Sequence, residues 1–118
     1  MATLSRQTLS EAGITPTFAS CSVGGDQVDN RDGKTFLYVK NGSGGSITVT
    51  VSEQISGNTV EDPNLGTLTK ASVAKAIAAG AEAILGPFKK AAFNDTNGRI
   101  QITYSGVSSL TISALTFP

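Results

Sequence analysis

The chain has no histidine, no tryptophan and a single cysteine among its 118 residues. Without histidine there is no Ser-His-Asp or Cys-His catalytic arrangement and no histidine-ligated metal site, because imidazole is the side chain that exchanges protons near neutral pH. One cysteine without histidine also excludes a structural zinc site, which needs four such ligands. We therefore expect no enzyme, no resident metal and no cofactor.

A charge excess of either sign is also missing. The 9 basic and 9 acidic residues cancel to a formal net charge of zero. Nucleic-acid binding needs a concentrated positive surface, and the only adjacent basic pair is Lys89-Lys90. The sequence has neither the apolar stretch of a secretory signal nor a run approaching the roughly 20 apolar residues of a membrane span. We expect a soluble protein that binds neither nucleic acid nor membrane.

The composition fits one all-β domain. A length of 118 residues and 39% hydrophobic content suit a single core. Short runs of alternating apolar and polar residues, separated by turn residues, predict strands. The four clearest runs are "KTFLYVKN" from Lys34, "SITVTVS" from Ser46, "RIQITYS" from Arg99 and "LTISALTF" from Leu110.

Glycine-rich and proline-containing stretches predict the connections. Gly42-Ser43-Gly44-Gly45 lacks the following helix and lysine of a phosphate-binding loop, so we interpret it as a hairpin corner between two strands. Asn97-Gly98 predicts a hairpin that joins "ILGPF" to "RIQITYS". Pro87 implies an edge position or a bend. The alanine-rich segment around residues 70–79 fits a helix or a strand, and we favour a hairpin over residues 76–86 that turns at Ala79-Gly80.

The predicted fold is an antiparallel β-sandwich or small barrel with an extended N-terminal arm. The arm covers residues 1–18, because Gly13 and Pro16 leave little room for a helix. The domain covers residues 19–118, with a polar exposed insertion around residues 53–75. Cys21, in the run "FASCS", is expected to be buried.

Three short patterns resemble chemical motifs, but a plainer interpretation suits each. "DQVDNRDG" lacks the ligand spacing and final glutamate of a calcium loop, so Asp32-Gly33 is expected to form a turn. Ser72-Val73-Ala74-Lys75 has the Ser-x-x-Lys spacing without the partner motifs of acylating enzymes. Cys21 lies in apolar surroundings that do not favour a reactive thiol.

The order of segments carries a resemblance. The succession "DGKTFLYVKNG", "SITVTV", "LGPF", "FNDTNGRIQITYSGV" and "LTISAL" resembles small tailed-phage virion proteins regarded as head decoration, or cement, proteins. The front "GITPTFAS" is similar to the Gly-x-x-Pro-Thr-aromatic opening of that group. The resemblance spans about residues 13–116, and residues 53–80 match poorly.

The resemblance implies a capsid decoration protein that binds the outer surface of an assembled phage head and stabilises the shell. It implies the major capsid protein lattice as partner, a homo-oligomer with a trimer favoured, and a place on the capsid exterior of the virion after synthesis in the host cytoplasm.

Two segments are candidates for contacts with the capsid or with other subunits. The arm offers apolar side chains that can lie along a neighbour or extend a sheet edge, although a frayed terminus is the alternative. The loop around Lys89-Lys90 pairs aromatics with cations, although its phenylalanines also suit the core. The candidate residues are Leu4, Leu9, Ile14, Phe18, Phe88, Lys89, Lys90, Phe93 and Asn94.

Two other functions stay open at the level of sequence. A β-sandwich domain also suits a phage tail, neck or host-recognition protein. A carbohydrate-binding module is the second alternative, which the absence of tryptophan and the placement of Tyr38 and Tyr104 inside predicted strands do not favour.

Overall fold

The computed structural model describes residues 2–54, 59–64, 66–69 and 72–118. Within these residues the chain forms short strands and one helical turn. The elements are β1 (Ala2–Leu4), β2 (Arg6–Thr8), β3 (Ala19–Ser20), β4 (Asp26–Asp29), β5 (Thr35–Asn41), β6 (Ile47–Val51), β7 (Thr59–Asp62), β8 (Gly66–Thr69), β9 (Val73–Ile77), β10 (Glu82–Leu85), α1 (Lys90–Phe93), β11 (Arg99–Tyr104) and β12 (Leu110–Thr116).

Two sheets form the body of the domain. The first sheet has the strand order β1-β4-β11-β6-β9, and the second has the order β10-β5-β12-β2, with β3 also paired to β12. Both sheets are mixed, because β1 runs parallel to β4 and β2 runs parallel to β12. The all-β, sandwich-like prediction is confirmed. The small-barrel alternative and the purely antiparallel pairing are wrong, since the described sheets stay separate and each contains one parallel pair.

The core lies between the sheets and follows the alternation that the sequence predicted. Ile47, Val49 and Val51 of β6 are buried, and Ile100 and Ile102 of β11 have no exposed surface. Burying one such side chain stabilises the fold by about 1.5–3 kcal/mol, so alternation in these strands fixes which face of each sheet turns inward.

The glycine run forms the predicted corner, but the corner is not a hairpin. It leads from β5 in the second sheet to β6 in the first, so the strands that it joins face each other across the core. Buried Asn41 holds the crossing, since its Nδ2 donates to the carbonyls of Gly45 and Ile77 at 2.9 Å each and its Oδ1 accepts from the Ser43 amide at 2.9 Å.

The predicted turn at Ala79-Gly80 lies between two strands, but the first of them, β9, begins at Val73, before the predicted segment of residues 76–86. The helix alternative is wrong. The strands do not pair with each other, since β9 pairs with β6 and β10 pairs with β5. Gly80 has a φ of 74°, and its amide donates to the Asn41 carbonyl at 2.8 Å. This turn is therefore a second crossing between the sheets, beside the first.

The Asn97-Gly98 turn is present, but it connects α1 to β11. The Asp95 carboxylate accepts from the amides of Asn97 and Arg99 at 2.8 and 3.0 Å. Burial favours a raised Asp95 pKa, yet the hydrogen bonds from Arg99, Gln101 and Asn97 outweigh it and lower the pKa. The predicted hairpin with "ILGPF" is wrong, because Ile84 and Leu85 of that segment belong to β10, which pairs with β5 in the second sheet, whereas β11 pairs with β4 and β6.

The insertion contains a small hairpin of its own. Strands β7 and β8 pair antiparallel and form a third sheet within the described residues. Residues 55–58, 65, 70 and 71 of the predicted insertion lie outside the described residues. The insertion ends earlier than predicted, since residues 73–75 belong to β9 of the first sheet.

The first described residues form two short strands, and both strands are paired within the domain. Ala2–Leu4 lies along β4 in the first sheet, and Arg6–Thr8 lies along β12 in the second. The chain therefore changes sheets at Ser5, so that one short segment contributes an outer strand to each sheet.

Candidate functional site

The outer face of the second sheet carries large side chains. Residues in β5 alternate, so Leu37 and Val39 enter the core while Phe36, Tyr38 and Lys40 point away from it. Two of the described large apolar side chains that remain exposed belong to the same face, Ile84 at 66% and Phe117 at 45%. We call the outward side chains of Phe36, Tyr38, Lys40, Glu82, Ile84 and Leu115, together with Phe18 and Phe117, the aromatic face.

One half of the aromatic face is a charged and aromatic cluster. The Phe18 and Tyr38 rings meet edge to face with centroids 5.2 Å apart, and Lys40 Nζ lies 4.3 Å from the Phe18 centroid. Tyr38 donates to Glu82 Oε2 at 2.7 Å, and Lys40 Nζ lies 3.7 Å from the same oxygen. The hydrogen bond to a carboxylate raises the pKa of Tyr38, because that carboxylate disfavours a neighbouring phenolate.

The other half is apolar. The Phe36 and Phe117 rings lie with centroids 5.0 Å apart, and Leu115 is directly opposite Phe36 in the neighbouring strand. Phe36 and Leu115 are 9% and 4% exposed, and both stand outside the main core cluster. The second sheet thus has a minor apolar layer on its outer side, and Phe117 and Ile84 extend that layer to solvent.

The outer face of the first sheet has different chemistry. Its outward positions include Thr50 opposite Thr103 and Gln27 opposite Gln101. Gln101 Nε2 donates to Gln27 Oε1 at 3.0 Å, and Gln27 Nε2 donates to Thr3 Oγ1 at 2.9 Å. The two glutamines and Thr3 thus bond to one another across three strands, and we call this surface the polar face.

The four candidate contact residues of the N-terminal arm lie in different environments. Leu4 packs against the core of its own chain, and Phe18 is part of the aromatic face. Leu9 and Ile14 are half-buried, and the Leu9 amide donates to the Thr116 carbonyl at 3.0 Å. A deletion of the first 15 residues would therefore remove an outer strand from each sheet.

The candidate contact residues in the loop around Lys89-Lys90 also differ, because some are buried and others are exposed. Phe88 and Phe93 are each 3% exposed, and their rings meet at 5.5 Å. The prediction that they are surface contacts is wrong, because both rings are buried in the core cluster. Lys89 and Lys90 are exposed. Asn94 bonds reciprocally with buried Asn30, at 2.7 and 2.8 Å.

The titratable groups in the interior are held in hydrogen bonds. Asp26 is fully buried, and its carboxylate accepts from the Tyr104 hydroxyl at 2.7 Å and from the amides of Ala2 and Ser22 at 3.2 Å each. Burial and the bond to Asp26 raise the pKa of Tyr104. Cys21 is buried as predicted, and burial raises the pKa of its thiol to about 11.

The acidic run forms the predicted turn, which Arg6 closes. Gly33 has a φ of 70°, and the Asp32 carboxylate accepts from the Lys34 amide at 3.1 Å. Arg6 from β2 donates to Asp32 Oδ1 at 2.8 Å and lies 3.7 Å from Asp29 Oδ2. The Lys34 amide and then Arg6 hold the pKa of Asp32 below its usual range.

In the parts of the chain that the structure describes, no three His, Cys, Asp or Glu side chains are grouped so as to hold a metal ion. The described helix is also too short to cross a membrane.

Sequence analysis did not identify the aromatic face as a site. Alternation along the run "KTFLYVKN" puts Phe36 and Tyr38 on the side of β5 opposite Leu37. Ile84, Glu82 and Phe117 come from distant segments, and only the pairing of β10 and β12 with β5 brings them beside Tyr38 and Phe36. The alternation within a strand predicts which face of the sheet each side chain is on. The order of the strands determines which side chains are its neighbours.

Comparisons with protein-family models, with curated proteins and with solved structures find no match for this chain.

Proposed function

We propose that the chain is a head decoration protein that binds the outer surface of an assembled tailed-phage capsid through its aromatic face and stabilises the shell. The resemblance in the order of strand and turn segments supports the class of protein. The observation that supports the aromatic face as the binding surface is the exposure of Ile84 and Phe117 beside a buried aromatic layer. Exposed apolar patches rimmed by polar groups mark interaction sites.

The chemistry of the aromatic face suits binding to a protein lattice. Ile84 and Phe117 supply apolar area, while Lys40 and Glu82 stand beside them as a charged pair that favours a partner with matching polar groups. A ligand that binds only the assembled state stabilises that state by mass action, and many copies on one shell add their contributions. The partner in this proposal is the major capsid protein lattice, on the capsid exterior.

Co-sedimentation with undecorated phage heads at increasing salt tests the proposal. The wild-type chain is expected to pellet with heads, and Ile84→Asp is expected to weaken binding at least tenfold because it places a charge in the contact. Thr103→Asp, at an exposed position of the polar face, is the matched control and is expected to bind like wild type.

Two outcomes contradict the proposal in different ways. Absence of wild-type binding at every salt concentration rejects the decoration function. Normal binding by Ile84→Asp together with loss of binding by Thr103→Asp retains the function and rejects the aromatic face. Assembly of the isolated protein into tubes, without head binding, would point to a tail or neck protein.

A further inference from the structure

Two Asn-Gly pairs occur in the chain, Asn41-Gly42 and Asn97-Gly98. An asparagine before glycine is prone to lose its side-chain amide, because glycine has no side chain to hinder attack by its backbone nitrogen. That nitrogen attacks the side-chain carbonyl carbon of the preceding asparagine. The reaction needs an accessible side chain and a backbone that can change its dihedral angles, so the fold determines which of the two pairs reacts.

The first pair is protected by burial and by hydrogen bonds. Asn41 is 2% exposed, and its Nδ2, the nitrogen that would leave, donates to the carbonyls of Gly45 and Ile77 at 2.9 Å each. The Gly42 amide, which would attack, donates to the Ser109 carbonyl at 2.9 Å. Asn41 therefore reacts only when the crossing between the sheets opens locally.

The second pair lies in the turn between α1 and β11. Asn97 is exposed, and its backbone amide donates to Asp95 Oδ1 at 2.8 Å. Its side chain forms no hydrogen bond with another described residue. The Gly98 amide donates to the Asp95 carbonyl at 3.1 Å, which is a bond within one turn. Freeing this amide opens a local surface turn, whereas freeing the Gly42 amide separates segments that are distant in sequence.

We propose that Asn97 is a site of spontaneous deamidation. The Gly98 backbone nitrogen loses its proton and forms a bond to Asn97 Cγ, the bond from Cγ to Nδ2 breaks, and ammonia leaves. Water then opens the resulting five-membered succinimide at either of its two carbonyl carbons. One product is aspartate, and the other is isoaspartate, in which the backbone continues through the former side chain. Water is the co-reactant, and the step needs no oxidant or reductant.

The reaction changes the turn in two ways. Each product places a carboxylate two residues after Asp95, where the chain had a neutral amide. Isoaspartate also lengthens the backbone by one carbon before Gly98, whose carbonyl accepts from the Asn30 amide at 2.8 Å. Deamidation of Asn97 therefore alters the charge of this end of the sandwich and the path of the connection from α1 to β11. It does not depend on what the aromatic face binds.

Incubation of the folded full chain in mildly alkaline buffer, followed by mass spectrometry of its peptides, tests the proposal. Asn97 is expected to exchange its NH₂ group for OH, and faster as the pH rises, because the attacking nitrogen must lose its proton. Asn41 is expected to convert at least about tenfold more slowly, since its reaction requires local opening. Asn97→Gln is the matched control and is expected to stay unmodified, because its longer side chain would have to close a six-membered ring.

The same incubation in urea removes the structural difference between the two pairs, so they are expected to convert at similar rates there. Circular dichroism checks that the chain incubated without urea stays folded. Absence of conversion at Asn97 in the folded chain overturns the proposal, and so do equal rates at Asn41 and Asn97 in that chain. Binding to phage heads plays no part in this measurement, so its result is independent of the proposed decoration function.

Discussion

The two outer faces of the sandwich differ although both sheets obey the same alternation. On the polar face, the Gln101, Gln27 and Thr3 side chains bond to one another across three strands. On the aromatic face, Phe36 and Leu115 form a second apolar layer outside the core. The first sheet therefore has one buried side, whereas the second has one buried side and one that is partly covered.

Apolar residues on the outer side of a sheet can either stabilise the fold or remain available to a partner, and the aromatic face contains both kinds. Phe36 and Leu115 are shielded by Phe117 and neighbouring backbone, so they stabilise the fold. Ile84 and Phe117 remain exposed by about half or more, so part of the same layer is available to a partner. On the polar face, Gln101, Gln27 and Thr3 already bond to one another, so these side chains gain less from a partner.

The largest effect that separates the faces is expected from removal of the Phe36 ring. Phe36→Ala leaves a void beside Phe117 and is expected to lower the free energy of unfolding by about 3 kcal/mol. Thr50→Ala, on the polar face, is expected to change it by less than about 0.5 kcal/mol. Urea unfolding of both variants measures the difference, and equal effects would remove the distinction between the faces.

A glycine substitution is expected to have the next largest effect. Gly86 has a φ of 116°, and a Cβ built on it would lie 2.8 Å from the Phe36 Cβ. Gly86→Ala is therefore expected to cost about 2 kcal/mol through crowding and backbone strain. Gly80→Ala is the control, because its φ is 74° and its Cβ would meet nothing within 4 Å.

Strain without crowding is expected to cost Gly80→Ala about 1 kcal/mol. Thermal unfolding of both glycine variants measures the gap. If Gly86→Ala is no worse than Gly80→Ala, the backbone of Gly86 does not press on the aromatic layer.

The smallest effect concerns the two tyrosines, one in each sheet. Glu82→Gln removes the carboxylate beside Tyr38 and is expected to lower its pKa towards the ordinary 10.0, while Tyr104 is unaffected. Because folding raises the pKa of Tyr38, its contribution to stability is complete below the unfolded pKa and is lost as the pH rises through the folded pKa. Ultraviolet absorbance of the phenolate measures the titration, and an unchanged Tyr38 curve would contradict the bond to Glu82.

The strands of the core were predictable from sequence, because burial imposes a strict period of two on β6 and β11. Their partners were not predictable. The same alternation suits a hairpin and a crossing between sheets, and the chain crosses at Gly42–Gly45 and again at Ala79-Gly80. Asn41 bonds to both crossings. Its bonds to Gly45 and Ser43 are local, whereas Ile77 and Gly80 lie far along the chain, so no short stretch of sequence shows that Asn41 joins the two crossings.

The site was predictable only in part, for a related physical reason. Aromatic residues beside lysines suggest an interface, and Lys89 and Lys90 are exposed. Phe88 and Phe93 belong to the buried core instead, where their rings pack edge to face. Residues that meet through pairing of distant strands, such as Ile84 with Tyr38 and Ser113, leave no pattern within a short stretch of sequence.

The position of β12 in the second sheet has a consequence for synthesis. This strand pairs with β5 on one side and with β2 and β3 on the other, yet it leaves the ribosome after every other described strand. Until then β5 has one bare edge, and β2 and β3 have no strand to join. Because such long-range pairing cannot form earlier, the aromatic face is completed only after this strand has been translated.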